Sequence, residues 1–187
     1  MTPYIWLGGG ALIIWWAVAI FNRLVRLSNQ VKEGWSGVDV QLKRRANLIP
    51  NLVETVKGYV QHERNLLAEI TGLRTKSLQA QAVGEKGAIE SALSASIGHL
   101  LAVVENYPDL KASRGFLELH RNLVEVEDQI QYARRYYNGT VRNFNTAVES
   151  FPNNVVAGLF SFSKAEFFVV DDVQDRQVPK VDLGDPS

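Results

Sequence analysis

The sequence predicts an all-α protein in which an N-terminal transmembrane helix continues into a long-helix antiparallel cytoplasmic bundle. Three observations carry this. Tyr4 to Phe21 (YIWLGGGALIIWWAVAIF) is an uncharged apolar run of 18 residues. From Val31 to Leu73 apolar residues recur at alternating steps of four and three, the spacing of a coiled-coil seam. Two further helical patterns follow, stopped by Asn106-Tyr107-Pro108-Asp109 and by Phe151-Pro152.

The first element is the anchor. At about 1.5 Å per residue its apolar run makes about 27 Å of helix, close to the hydrocarbon thickness of a bilayer. Trp6 at one end, and Trp15, Trp16 and Phe21 towards the other, suit aromatic anchoring at the two interfaces. The rival reading is a signal peptide cut at Ala17-Val18-Ala19, but it lacks a basic leader and places a tryptophan pair just before the cut. Gly8-Gly9-Gly10 would let another helix approach, although glycines are common in membrane helices. Arg23, Arg26 and Lys32 follow the run, and only the amino terminus precedes it. The positive-inside rule therefore places the N-terminus outside and the rest of a single-pass protein in the cytoplasm. The expected division is an anchor at 1–22, a helical bundle at 23–165 and an extended tail at 166–187.

The second element is the seam Val31, Trp35, Val38, Leu42, Arg45, Ile49, Leu52, Val56, Tyr59, Glu63, Leu66, Ile70 and Leu73. Pro50 removes one hydrogen bond and crowds the carbonyl of Ala46, which predicts a kink. The apolar phase does not slip there, so one bent helix over about 22–82 is expected. AVGEKGA, residues 82–88, reads as the first clear turn because of its two glycines. A second helix then runs through Ile89, Leu93, Ile97, Leu100 and Val104. A third spans about 110–150, with the seam Phe116, Leu119, Leu123, Val126, Ile130, Ala133, Tyr137, Thr140, Phe144 and Ala147. NNVVAGLFSF reads as a short apolar helix, and EFFVVDDVQDRQVPKVDLGDPS as an extended tail.

Composition narrows the function. Twenty Lys and Arg balance twenty Asp and Glu, so no global field favours nucleic acid. The chain has no cysteine, hence no disulfide, thiolate nucleophile or Cys-based metal site. His62, His99 and His120 are scattered. His62-Glu63 begins like a zinc-protease helix, but Leu66 stands where the second histidine belongs. No Glu-x-x-His pair of a di-iron bundle is present, GEKG at 84–87 lacks the spacing of a phosphate loop, and no serine lies in a nucleophile elbow. The expectation is a non-enzyme with no catalytic, cofactor-binding or metal residue and no cofactor.

Two groups of residues call for a role. Arg45 falls on the apolar stripe itself, while Arg44, Asn47, Asn51 and Glu54 form a polar stripe beside it. Glu127, Gln131, Arg134, Asn138 and Asn145 form a matching column on the third helix. The columns are expected to meet in a polar layer in which Arg45 and Arg134 face carboxylates such as Glu54, Glu63 or Glu127. Such layers add little net stability but select register. Solvated faces and a polar ligand pocket are the two alternatives. The second group is Val31, Trp35, Val38 and Leu42. If the first helix runs straight to residue 82, the short second helix leaves this membrane-proximal stripe bare, and copies of the chain are expected to cover it in a homo-oligomer. A first helix folded back at Pro50 is the competing arrangement.

The segments FNRLVRLSNQV, WSGVDVQLKRRANLIPNLVETVKGY with HE after it, VENYPDLKAS, ARRYYNGTVRNFN and FPNNVVAGLFSF resemble the LemA family of bacterial membrane-anchored proteins, in the family's order and over nearly the whole chain. Phe21-Asn22 stands where the family often has Tyr-Asn, and Leu183 where the tail often ends in Phe. The resemblance implies a helical bundle on one membrane helix in the bacterial inner membrane, with no established enzymatic activity. Some members serve in magnetosome membrane formation and others are encoded near membrane proteases. The function expected is a non-enzymatic adaptor or scaffold whose partners are the lipid bilayer, its own copies and membrane proteins such as proteases. The alternative is a protease cofactor or a ligand-binding or catalytic bundle.

Overall fold

A computed structural model describes residues 2–60 and 63–169, with side chains from residue 9 onward. In chain order the described residues form α1 (Thr2–Lys57), α2 (Arg64–Gln79), α3 (Val83–Val104), α4 (Pro108–Lys111), α5 (Arg114–Glu149) and α6 (Asn153–Leu159). The fold is all-α, as the periodicity predicts. The side chain of Trp6, His62, and residues 170–187 of the expected tail lie outside the described residues.

The single helix over 22–82 is not found. The chain leaves the helix after Lys57 and re-enters one at Arg64. At the break the apolar phase slips by one residue: Tyr59, on the expected seam, is 47% exposed, whereas Val60 is fully buried. The reason is tertiary. Val60, Leu66, Leu67 and Ile70 can leave water only by folding back on Ile49, Leu52 and Val56, and these seven residues share one core cluster. Gly58, a poor helix former, sits where the chain departs.

Side-chain contacts fix the directions. Arg74 of α2 meets Ala46 of α1, so α2 runs back along α1. Lys86 and Glu90 of α3 meet Asp39 and Arg45 in ascending order, so α3 runs with α1. On α5, Glu125 faces Arg44, Tyr137 faces Trp35, and Ala147 packs in the cluster of Ile20 and Leu24. α5 therefore returns along nearly the whole length of α1 beyond the apolar run. Gly34 permits this closeness, because a Cβ there would stand 3.2 Å from Thr140 Oγ1 and 3.3 Å from the Tyr137 backbone. Ser113 caps α5 by accepting a hydrogen bond from the Phe116 amide at 3.3 Å. Nine of the ten residues expected on the α5 seam are buried, Ala133 being half-buried.

The descent of α5 corrects the reading of Val31, Trp35, Val38 and Leu42. Val38 and Leu42 are buried, and the stripe packs with Val126, Ile130, Tyr137, Val141 and Phe168 of the same chain. Because α1 stops at Lys57, the α2–α3 hairpin covers its outer half while α5 and the tail cover its inner half. No bare stripe remains there for a second copy to cover. The chain does fold back on itself, but between Lys57 and Arg64 and not at Pro50, which lies inside α1.

Pro50 has a different role. Lacking an N–H, it leaves the carbonyl of Ala46 without a helical donor, and Arg74 Nε supplies one from α2 at 2.7 Å. The proline thus opens an acceptor on α1 that docks the returning helix. Pro50→Ala is expected to keep the fold, since the new amide replaces the arginine. Arg74→Ala should then cost less in a Pro50→Ala background than in the native chain. A double-mutant cycle on thermal stability reads the difference, and strict additivity would disprove the coupling.

The glycine pair at 84 and 87 is also not a turn, since α3 already begins at Val83. The chain reverses just before it, at residues 80–82. Gly87 serves the tail instead: a Cβ there would lie 2.5 Å from the carbonyl oxygen of Val169.

Both α1 and α3 are long and apolar enough to cross a membrane. Their surroundings separate them. In α1, Leu12, Ile13, Ile14 and Trp15 are each about two-thirds exposed or more, at 66–70%. α3 carries Lys86 and Glu90, both buried and paired within the bundle, and is a core helix.

Candidate functional site

Four helices contribute polar groups at one level of the bundle. Arg45, from the apolar stripe of α1, is 3% exposed. Its Nη2 donates to Glu90 Oε2 on α3, and Nη1 donates to Ser94 Oγ at 2.6 Å and to Glu127 Oε2 on α5 at 2.7 Å. The other oxygen of Glu90 accepts a hydrogen bond from Ser77 of α2. Gln131 steadies Glu127 by donating to its Oε1 at 3.2 Å. The Glu90 side chain is 1% exposed and that of Glu127 39%. Removal of these charges from water is costly, and mutual pairing offsets it only in this arrangement, so the layer fixes which helix faces lie together.

Nearer the anchor lies a second polar group. Asp39 accepts from Lys86 Nζ at 2.7 Å and pairs with Lys43 at 2.6 Å, while Lys86 also lies 5.9 Å from the Trp35 ring centroid. Burial pushes the Asp39 carboxyl up, but the hydrogen bonds and charges of Lys43 and Lys86 outweigh it and hold the pKa below the ordinary value. Towards the outer end Ser96 of α3 donates to Glu69 of α2 at 2.8 Å.

The expected layer residues are divided among several places. Arg45 and Glu127 meet as expected. Arg44 lies outside the layer, half-exposed and paired with Glu125 at 3.1 Å. Glu54, with its side chain 80% exposed, stands on the surface of α1, 4.0 Å from Lys57. Glu63 precedes the first turn of α2. Arg134 is half-buried lower on α5, beside a shallow pocket lined by Asn138, Phe168 and Val169. Glu90, Ser77 and Ser94 are members that the sequence reading missed. A signal existed for Glu90: it stands three residues before Leu93 and seven before Ile97, a charge on an apolar stripe just as Arg45 is.

Asn138 and Asn145 of the expected column hold the tail. The Asn145 amide donates to the Ala165 carbonyl at 3.0 Å and accepts from the Ala165 N–H at 2.8 Å. Asn138 does the same with Phe168, at 3.0 Å in both directions. Seven residues of helix rise about 10.5 Å, and three residues of extended chain advance about 10 Å. The two spacings match, so the carboxamides act as rungs for an extended segment laid along α5. Phe168 is thereby seated fully buried, its ring 5.6 Å from that of Trp35. Tyr137 donates its hydroxyl to the Glu166 carbonyl at 2.7 Å. Burial, and then the Glu166 charge, raise the Tyr137 pKa and keep it a donor.

The rungs, the Arg45 layer and the tail they order all lie within residues 34–183, the span over which the chain matches the LemA family model. The chain belongs to the LemA family. Among its relatives, the protein LemA of Metamycoplasma hominis is 29% identical over 164 residues, which cover 87% of this chain and 72% of that protein. Magnetosome protein MamQ 2 of Paramagnetospirillum magneticum is 27% identical over 177 residues, covering 79% of this chain. Magnetosome protein MamQ of Magnetospirillum gryphiswaldense is 24% identical over 174 residues, again covering 79% of this chain. The LemA-family chain spans 64% of the length of each of these magnetosome relatives.

Proposed function

We propose that this LemA-family protein is a membrane-anchored helical adaptor or scaffold. Its apolar run lies in the bacterial inner membrane, its bundle in the cytoplasm, and it organises membrane proteins or the membrane itself. The observation that carries this reading is the continuity of α1, one helix from Thr2 to Lys57 that serves as both the apolar N-terminal segment and the central strut of the bundle. The part beyond Phe21 extends about 54 Å at 1.5 Å per residue, so a partner on the bundle is held at a set distance from the bilayer. The charge asymmetry of Arg23, Arg26 and Lys32 supports the cytoplasmic side.

The outer end offers an apolar groove of about 860 Å³ between α1 and α2, lined by Val53, Val60, Leu67 and Ala68 and rimmed by Lys57 and Arg64. Gly72 opens into free space beside it. Gentle extraction is expected to recover membrane proteins bound to the native chain, and Gly72→Trp should strip them away while the bundle stays folded. A bound set that is unchanged by the substitution would remove the groove from the adaptor reading. Recovery of no protein partner at all would sink the adaptor itself.

A second reading has one observation in its favour. A crevice of about 330 Å³ opens at the Arg45 layer, lined by Ser94, Glu127 and Gln131 among apolar residues of α3 and α5. A ligand-binding bundle, or a protease cofactor that senses a ligand, would use it. A stoichiometric small molecule in native mass spectra of the extracted protein would favour that alternative.

A further inference from the structure

The helix α6 is apolar on two opposite faces. Val156 and Ala157 are buried against Ile20 and Leu24 of α1. On the other side Val155 and Leu159, four residues apart and hence stacked along one face, are 55% and 76% exposed, and Phe151, in the turn that leads into α6, is 82% exposed. With an apolar face on either side, α6 calls for apolar surroundings on both. Within the chain it has them on one side alone.

The place of α6 on α1 says what covers the other. Ile20 and Leu24 straddle Phe21, the last residue of the apolar run, and Arg23, the first charge after it. The Phe160 ring, 59% exposed, packs 4.7 Å from that of Phe21. Phe160, the residue after Leu159, therefore touches the last residue of the apolar run, and an interfacial helix buries its apolar face about 5 to 10 Å deep in the headgroup and acyl boundary. Beside the stripe is a pocket of about 560 Å³ whose lining includes Arg23, Arg142 and Asn153 and no carboxylate. Its charge complements lipid phosphate.

We propose that α6 is a second membrane contact, a foot that inserts Phe151, Val155, Leu159 and Phe160 into the interfacial layer of the bilayer crossed by α1, with Arg23 and Arg142 facing phospholipid headgroups. This rests on the anchor reading of the apolar run. It turns a single tether into a two-point attachment and sets the tilt of the bundle against the membrane surface. The occupant is phospholipid, because the stripe continues the surface of the apolar run and the adjoining polar pocket is basic.

The chain has no cysteine, so single cysteines can carry an environment-sensitive fluorophore at chosen depths. The full chain is reconstituted in vesicles of phosphatidylcholine and phosphatidylglycerol containing nitroxide-labelled lipids, with the dye at Val155→Cys, at Ile13→Cys within the run, or at Val124→Cys on the bundle. All three native side chains are about half exposed or more, at 48–67%, so the fold tolerates the change. The expected result is strong quenching at residue 13 by deep nitroxides, and quenching at residue 155 by shallow nitroxides several-fold above that at 124. Quenching at 13 with residue 155 no different from 124 would overturn the foot and leave the anchor standing. No quenching at 13 would overturn both. A disulfide between copies at residue 155 in place of lipid quenching would give the stripe to a second copy and overturn the proposal.

Discussion

Arg45→Ala is expected to lower the thermal midpoint of the bundle by roughly 6 to 20 °C. The substitution leaves Glu90, 1% exposed, without its cation. Stranding one member of a buried pair costs on the order of 3 to 5 kcal/mol, and each kcal/mol shifts a domain of this size by about 2 to 4 °C. Glu127 contributes little to the loss, because its side chain is partly exposed and can turn to water. The control is Arg44→Ala at the adjacent position, where both partners in the pair with Glu125 are about half exposed and the expected loss is below about 1 kcal/mol. Changing both members of the buried pair, Arg45→Met with Glu90→Leu, should recover most of the stability, since no charge is then stranded. Equal midpoints for Arg45→Ala and Arg44→Ala would show that Arg45 is solvated.

The second large effect is expected at the tail. Phe168→Ala removes a fully buried ring from beside Trp35 and Tyr137, which for a phenylalanine costs about 3 to 5 kcal/mol. It should also free the segment it seats. The amides of Ala165 and Phe168 donate to Asn145 and Asn138, so hydrogen exchange there is expected to be slow in the native chain and fast in Phe168→Ala. Asn138→Ala should release the Phe168 amide while leaving the helices protected, because it removes one rung and no core volume. Slow exchange of the residue 168 amide after either substitution would mean that the rungs do not hold the tail.

Much of the helical pattern was legible because it is local. The apolar run Tyr4 to Phe21, the seam of α5 from Phe116 to Ala147, the stop at Asn106-Tyr107-Pro108-Asp109 and the short helix after Phe151-Pro152 all show as periodicity and its interruptions. Family membership was legible for a related reason, in long segments such as WSGVDVQLKRRANLIPNLVETVKGY. Arg45 stood out as a charge on an apolar stripe. Its partner on α5, Glu127, was among the expected carboxylates, whereas Glu90 was passed over because α3 read as an apolar helix after a glycine turn.

The sequence by itself therefore determined the helical class, the apolar N-terminal segment, the seam of α5 with its end before Phe151-Pro152, and the presence of a charge that had to be paired. Only the tertiary structure decided where the first helix ends, which way α3 and α5 run, and what covers Val38 and Leu42. A periodicity states which face of a helix must be buried and not what buries it. The reversal between Lys57 and Arg64 turns on whether Val60 and Leu66 gain more by folding back on Leu52 and Val56 than by continuing the helix, which is a comparison between distant segments. The same holds for Gly87, Asn138 and Asn145. Locally they read as a turn and a polar column, and their use appears only once the tail returns along α5 and brings the Val169 carbonyl against Gly87 and the Ala165 and Phe168 backbones against the two carboxamides.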